Sequence, residues 1–120
     1  MNYQDIYTHL KTAGFDVYSL GQHRGECVSP YIVLRNNGST DALSMTGTEY
    51  ELLLYYPVKQ YSSFEDHIES VKQHMNRLFP ALRLVDGPSA HYLDDDVKGY
   101  MTSLIYENFK LSKINQIERT

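Results

Sequence analysis

The stretch Met45–Val58, MTGTEYELLLYYPV, constrains the fold more than any other part of the chain. Side chains of an extended strand alternate between two faces. Tyr50, Leu52, Leu54 and Tyr56 therefore share one face, and Glu49, Glu51, Leu53 and Tyr55 share the other. Near Gly47 the back of the strand is acidic and wet, whereas near Val58 both faces are apolar. This pattern predicts a long central strand, buried at one end and projecting from the domain at its Gly47 end.

The other segments must supply partners for that strand. Asn2 to Ala13 places Tyr3, Ile6, Tyr7 and Leu10 at helical spacing, with Asn2 as a capping residue and Gly14 where a left-handed terminus is expected. Phe15–Leu20 is expected to be a strand, and Gly21–Ser29 a polar connection. Pro30 introduces Tyr31–Arg35, a β-branched run that predicts another strand. Asn36-Asn37-Gly38 carries a turn signal that should end it. The small, polar segment Asn36–Met45 is then the tip of a hairpin, with a long loop.

Beyond the central strand, Ser62 and Glu65 have capping-box spacing. Phe64, Ile68, Val71, Met75, Leu78 and Phe79 repeat at helical spacing as far as Pro80, which predicts the clearest helix of the chain. Leu82–Val85 and Ala90–Leu93 are short extended segments around the turn Asp86–Ser89. Lys98–Phe109 alternates large residues on both faces and predicts a second long strand near the centre of the sheet. Leu111, Ile114 and Ile117 at three-residue spacing suit a turn or two of helix, or an extended arm.

The order α-β-β-β-α-(β-β)-β predicts an α+β fold: one mostly antiparallel sheet, two helices packed on one face, and a long projecting β-hairpin. Residues 1–110 are expected to form one domain and 111–120 a C-terminal tail or arm.

Composition narrows the function. A net charge of −4, with lysine and arginine scattered singly, argues against a nucleic-acid surface. Cys27 is alone, so no intrachain disulfide is expected and a reducing compartment is the default. The N-terminus lacks a signal-peptide pattern, and no apolar run reaches the roughly 20 residues that span a bilayer, which predicts an intracellular chain without a membrane partner. The eleven tyrosines suit strands and contact surfaces.

The candidate chemistry is thin. Asp94-Asp95-Asp96 does not match a calcium loop and is expected to be a solvated turn. His67 and His74 lie two turns apart on their helix, too far for shared zinc ligation, and are expected at its solvent edge. His9, His23 and His91 have no acidic or cysteine partner at metal spacing. Cys27 with His23 lacks an orienting group and an oxyanion loop. Glu49 and Glu51 share a strand face about 7 Å apart and are expected to be a solvated or inter-subunit surface. No catalytic residue, metal or cofactor is expected.

Taken together, the helix ending in Ala13-Gly14-Phe15, the PYIVLRNNG strand and turn, TEYELLLYYPV, SSFEDHIESVKQHMNRL and GYMTSLIYENF resemble, in order and length, the small tail-terminator and tail-completion (head–tail joining) proteins of long-tailed bacteriophages and prophages. The resemblance covers nearly the whole chain. It implies a non-enzymatic virion protein, made in the bacterial cytoplasm, that forms a ring, typically hexameric, capping the tail tube and binding the head connector. Partners would be other copies of itself, tail-tube and head-connector proteins. Interface residues expected on this basis are Asn37, Gly38, Ser39, Thr40, Asp41, Ala42 and Leu43 of the hairpin, Glu49 and Glu51 of the central strand, and Leu111 and Ile114 of the tail. Two other classes stay open: a host α/β protein-binding module, and a small hydrolase gathering Glu49 or Glu51 with a histidine.

Overall fold

The structure is a computed structural model and describes residues 1–42 and 45–111. Two helices pack on one face of a six-stranded, mostly antiparallel sheet, an α+β fold. Helix α1 spans Tyr3–Thr12, followed by β1 (Val17–Ser19), β2 (Tyr31–Ala42) and β3 (Met45–Pro57). A 3-10 segment, Val58–Ser63, leads into α2 (Phe64–Asn76); β4 (Arg83–Asp86), β5 (Tyr92–Asp94) and β6 (Gly99–Leu111) complete the chain. The sheet order is β1-β2-β3-β6-β4, with β5 also on β6, so β3 is the central strand.

Each helix has a local cause. Asn2 and Asp5 form a reciprocal capping box: Asn2 Oδ1 accepts from the Asp5 amide at 3.0 Å, and Asp5 Oδ2 accepts from the Asn2 amide at 3.0 Å. At the other end Gly14 has φ +98°, and the Gly14 and Phe15 amides bond back to the Lys11 and Leu10 carbonyls. This is a Schellman closure, which favours glycine because the left-handed region strains other residues. Helix α2 buries Phe64, Ile68, Val71 and Met75. Each such side chain stabilises the fold by about 1.5–3 kcal/mol through loss of contact with water. The capping box expected between Ser62 and Glu65 does not form. The 3-10 segment winds directly into α2, so Ser62 lies within it, and Ser63 is the N-cap without a side-chain hydrogen bond. The helix also stops at Asn76, which leaves Phe79 exposed instead of on the buried stripe.

The core lies between the helices and the even-numbered sheet residues. Ile32 and Leu34, then Tyr50, Leu52, Leu54 and Tyr56, then Leu104 and Tyr106 meet Ile6, Leu10 and the α2 stripe. His67 and His74, expected at the solvent edge, belong to the join between the helices. Phe15 sits edge-on to both rings at 5.9 and 5.2 Å, and His67 also contacts Tyr56 at 5.2 Å. A His9 ring nitrogen bonds the His74 carbonyl at 2.7 Å, tying α1 to α2.

Strands β4 and β5 do not pair with each other. Both lie along the outer edge of β6, opposite Ile105–Glu107 and Gly99–Met101, and Ser89 bridges the gap by bonding Ser103. On the other sheet face, His23 stacks on Tyr31 at 3.6 Å, and Tyr31 stacks on Tyr55 at 4.7 Å. The connection after β1 thus covers one end of that face, which is why the Val58 end of the central strand is apolar on both sides.

Candidate subunit interface

The Asn36-Asn37-Gly38 turn signal has a different outcome from the one expected. Strand β2 does not end there. It continues to Ala42, paired with β3 throughout, and the three residues form a β-bulge: Asn36 lies opposite Tyr50, Gly38 opposite Glu49, and Asn37 is the extra residue. Gly38 has φ +108°, and its amide bonds Asn36 Oδ1 at 2.7 Å. A bulge with glycine in a left-handed conformation asks for the same residues as a tight turn, so the local signal is identical.

The expected long loop is therefore mostly a ladder. Ser39, Thr40, Asp41 and Ala42 lie opposite Thr48, Gly47, Thr46 and Met45. The expected projecting pair, β2 with β3, is present, and it has a third strand beside it. Strand β6 follows β3 over its whole length, from Gly99 opposite Pro57 to Leu111 opposite Met45. Leu111, expected to open a tail, is instead the last paired residue of β6. Leu43 and Ile114 lie outside the described residues. A strand of thirteen residues is about 40 Å long, whereas the helix-backed core ends at the Tyr50–Tyr106 row. The remainder is a three-stranded ribbon. Its effect is visible in a radius of gyration of 16.0 Å and extents of 56 × 24 × 24 Å, against roughly 13–14 Å for the radius of a compact chain this long.

At the base of the ribbon, the bulge turns Asn37 onto the acidic face of β3. Asn37 Nδ2 donates to Glu49 Oε2 at 2.9 Å and to Glu51 Oε1 at 3.0 Å. Its Oδ1 accepts from Arg35 Nε at 2.7 Å, and Arg35 also pairs with Glu51 at 3.5 Å. The bulge thus places one amide between two carboxylates that would otherwise face each other without a bridge. On the opposite face Ser39 Oγ and Thr48 Oγ1 are 2.8 Å apart, and Asn108, buried on β6 opposite Thr48, donates to the Met1 carbonyl. Arg35, Asn36 and Asn108 were not among the residues expected here. The similar lengths of the two long alternating runs, Met45–Val58 and Lys98–Phe109, were the available sign that β6 accompanies β3 outward.

The other shifted titratable groups are moved mainly by burial. Burial raises the Cys27 thiol to about 11. Burial also raises Tyr106 and lowers His67, and among the described residues neither the Tyr106 hydroxyl nor His67 Nε2 has a hydrogen-bond partner. Tyr92 and Tyr55 are raised, mainly by burial and secondarily by Asp94. Asp94 Oδ1 accepts the Asp96 amide at 3.0 Å within the β5–β6 turn. Among the described residues no three His, Cys, Asp or Glu side chains gather around a point where one metal ion would fit, and no helix is long and apolar enough to cross a membrane. No family model matches this chain, and no curated protein matches it.

Proposed function

We propose that this protein is a structural subunit of a phage or prophage tail, of the tail-terminator or head–tail joining kind. In this role it forms a ring that caps the tail tube and connects to the head, and it carries no catalytic activity. The observation that supports this most is the three-stranded ribbon beyond the helix-backed sheet. Its exposed residues Ser39 and Thr40 are small and polar, and its strands run past the last row of the helix-backed core. A ribbon of this kind offers backbone groups and short side chains to a neighbour by strand addition. A head-to-tail contact repeated by rotation closes a ring.

The test is the native mass of the chain, alone and with a tail-tube protein from the same genome. The expected outcome is a ring-sized multiple of 13.9 kDa, formed alone or on meeting the tube protein. A chain that stays monomeric in both conditions overturns the proposal and leaves the binding-module alternative in its place.

A further inference from the structure

The body of the sheet has covered edges. Strand β1 lies along β2 from Ile32 to Leu34, and the β4–β5 edge along β6 carries Arg83, Asp86 and Pro88. Such charges and prolines are the ordinary defence of a strand edge. The ribbon differs. Among the described residues no strand pairs with the outer side of β2 beyond Leu34, or with the outer side of β6 beyond Glu107. Past the bulge β2 reads Gly-Ser-Thr-Asp-Ala, with no proline and a single charge, Asp41, and β6 past Glu107 carries a single charge of opposite sign, Lys110.

The two open edges also match in direction. Strands β2 and β6 are both antiparallel to β3, so they run the same way. The geometry points to these edges as the two halves of one interface: β6 of one copy, at Asn108–Leu111, adds in parallel to β2 of the next copy, at Gly38–Ala42. This specifies how the ring proposed above is held together, and it rests on that proposal. The contact is heterologous, since different edges meet, and so repeats around a ring instead of stopping at a two-fold dimer. The register supports it. Asp41 and Lys110 both lie opposite Thr46. A neighbour whose rows continue those of the first copy sets Lys110 beside Asp41, residues of opposite charge at adjoining positions.

A cysteine pair tests the contact. In a Cys27→Ser background carrying Asp41→Cys and Lys110→Cys, the two new positions of one copy are two strand spacings apart, about 9.5 Å. That exceeds the roughly 7 Å between Cα atoms that a disulfide spans, so bridges form only between copies. Oxidation with diamide in the presence of the tail-tube protein is expected to give a ladder of covalent oligomers. The ladder should end at the ring size read from the native mass of the unmodified chain, and a reductant should collapse it. Charge reversal provides the second measurement: Asp41→Lys or Lys110→Asp alone is expected to lower the assembled fraction at least threefold, and the two together to restore it. If the unmodified chain forms rings but the cysteine pair stays uncrosslinked and neither charge variant changes assembly, this interface is wrong while the ring stands. A ladder that stops at dimers overturns it in favour of two-fold pairing. An unmodified chain that never assembles removes both proposals.

Discussion

Replacing Asn37 by alanine isolates the contribution of the bulge. The side chain makes two hydrogen bonds to carboxylates, at 2.9 and 3.0 Å, and one to Arg35 at 2.7 Å. In a shielded setting each hydrogen bond to a charged group is worth about 1.5–3 kcal/mol. This cluster is only half buried, so water takes over much of that, and a total of about 1–2 kcal/mol is expected. Electrostatics gives a similar figure. Carboxylates two residues apart on a strand, about 7 Å, repel by roughly 0.6 kcal/mol in water and roughly 2 kcal/mol at an effective dielectric of 20. Without the Asn37 amide, Arg35, paired with Glu51, is left to offset that repulsion. Among the described residues the helix-backed core ends at the Tyr50–Tyr106 row, so the loss belongs to local opening and not to the global transition. Native-state hydrogen exchange is therefore the assay. Amides of Gly38–Thr40 and Gly47–Glu49 are expected to exchange about 5–30 times faster, while the urea midpoint of the core barely moves. In a Glu49→Gln, Glu51→Gln background the effect of Asn37→Ala should shrink by about half. Exchange within twofold of the parent, or an undiminished effect in the glutamine background, would refute the bridging role.

Four further outcomes are expected. Ile68→Ala removes a core side chain that is 3% exposed and should cost about 2–4 kcal/mol in urea denaturation; a loss below about 1 kcal/mol would show that α2 does not seat on the sheet there. Gly87→Ala should cost at least about 2 kcal/mol by the same assay, because its φ is +102° and an added Cβ would lie 2.4 Å from the Ser103 carbonyl oxygen; a neutral variant would refute that close approach. Burial holds His67 below its usual 6.5, so the unfolded chain takes up the proton first as pH falls. The stability this group contributes is then present well above pH 6.5 and is lost as pH falls below it, and His67→Gln should flatten that slope; an unchanged slope assigns it to other groups. Finally, a Cys27 thiol raised to about 11 and only 5% exposed should react slowly with a disulfide reagent at pH 8 in the native state and promptly in urea. Equal rates would show that the Cys27 site is open.

Much of the body was legible in the residues alone. The α1 stripe with Asn2 and Gly14, the α2 stripe, and the alternation through Met45–Val58 state which faces are apolar and what φ each terminus needs. These are local quantities, and the structure places Ile6, Leu10, Ile68, Leu52 and Leu54 accordingly in one core. The ribbon was legible only in part. Glu49 and Glu51 were rightly placed on one face, but Asn37 between them was not foreseen. The helix start at Ser62 was missed because a preceding 3-10 segment was free to supply the first turn by itself.

The sequence by itself determined the period of each element, the central position of the long strand and the conformational demand of Asn36-Asn37-Gly38. Only the tertiary structure decided how that demand is met. Asparagine and glycine satisfy a left-handed residue equally well in a tight turn or in a bulge, and the choice depends on whether a partner waits to pair with the residues beyond. Here β3 continues to Met45 with β6 along its far side, so pairing through to Ala42 satisfies backbone groups that a loop would leave to water. The bulge follows from that long-range pairing, and it brings Asn37 to the two acids at the base of the ribbon.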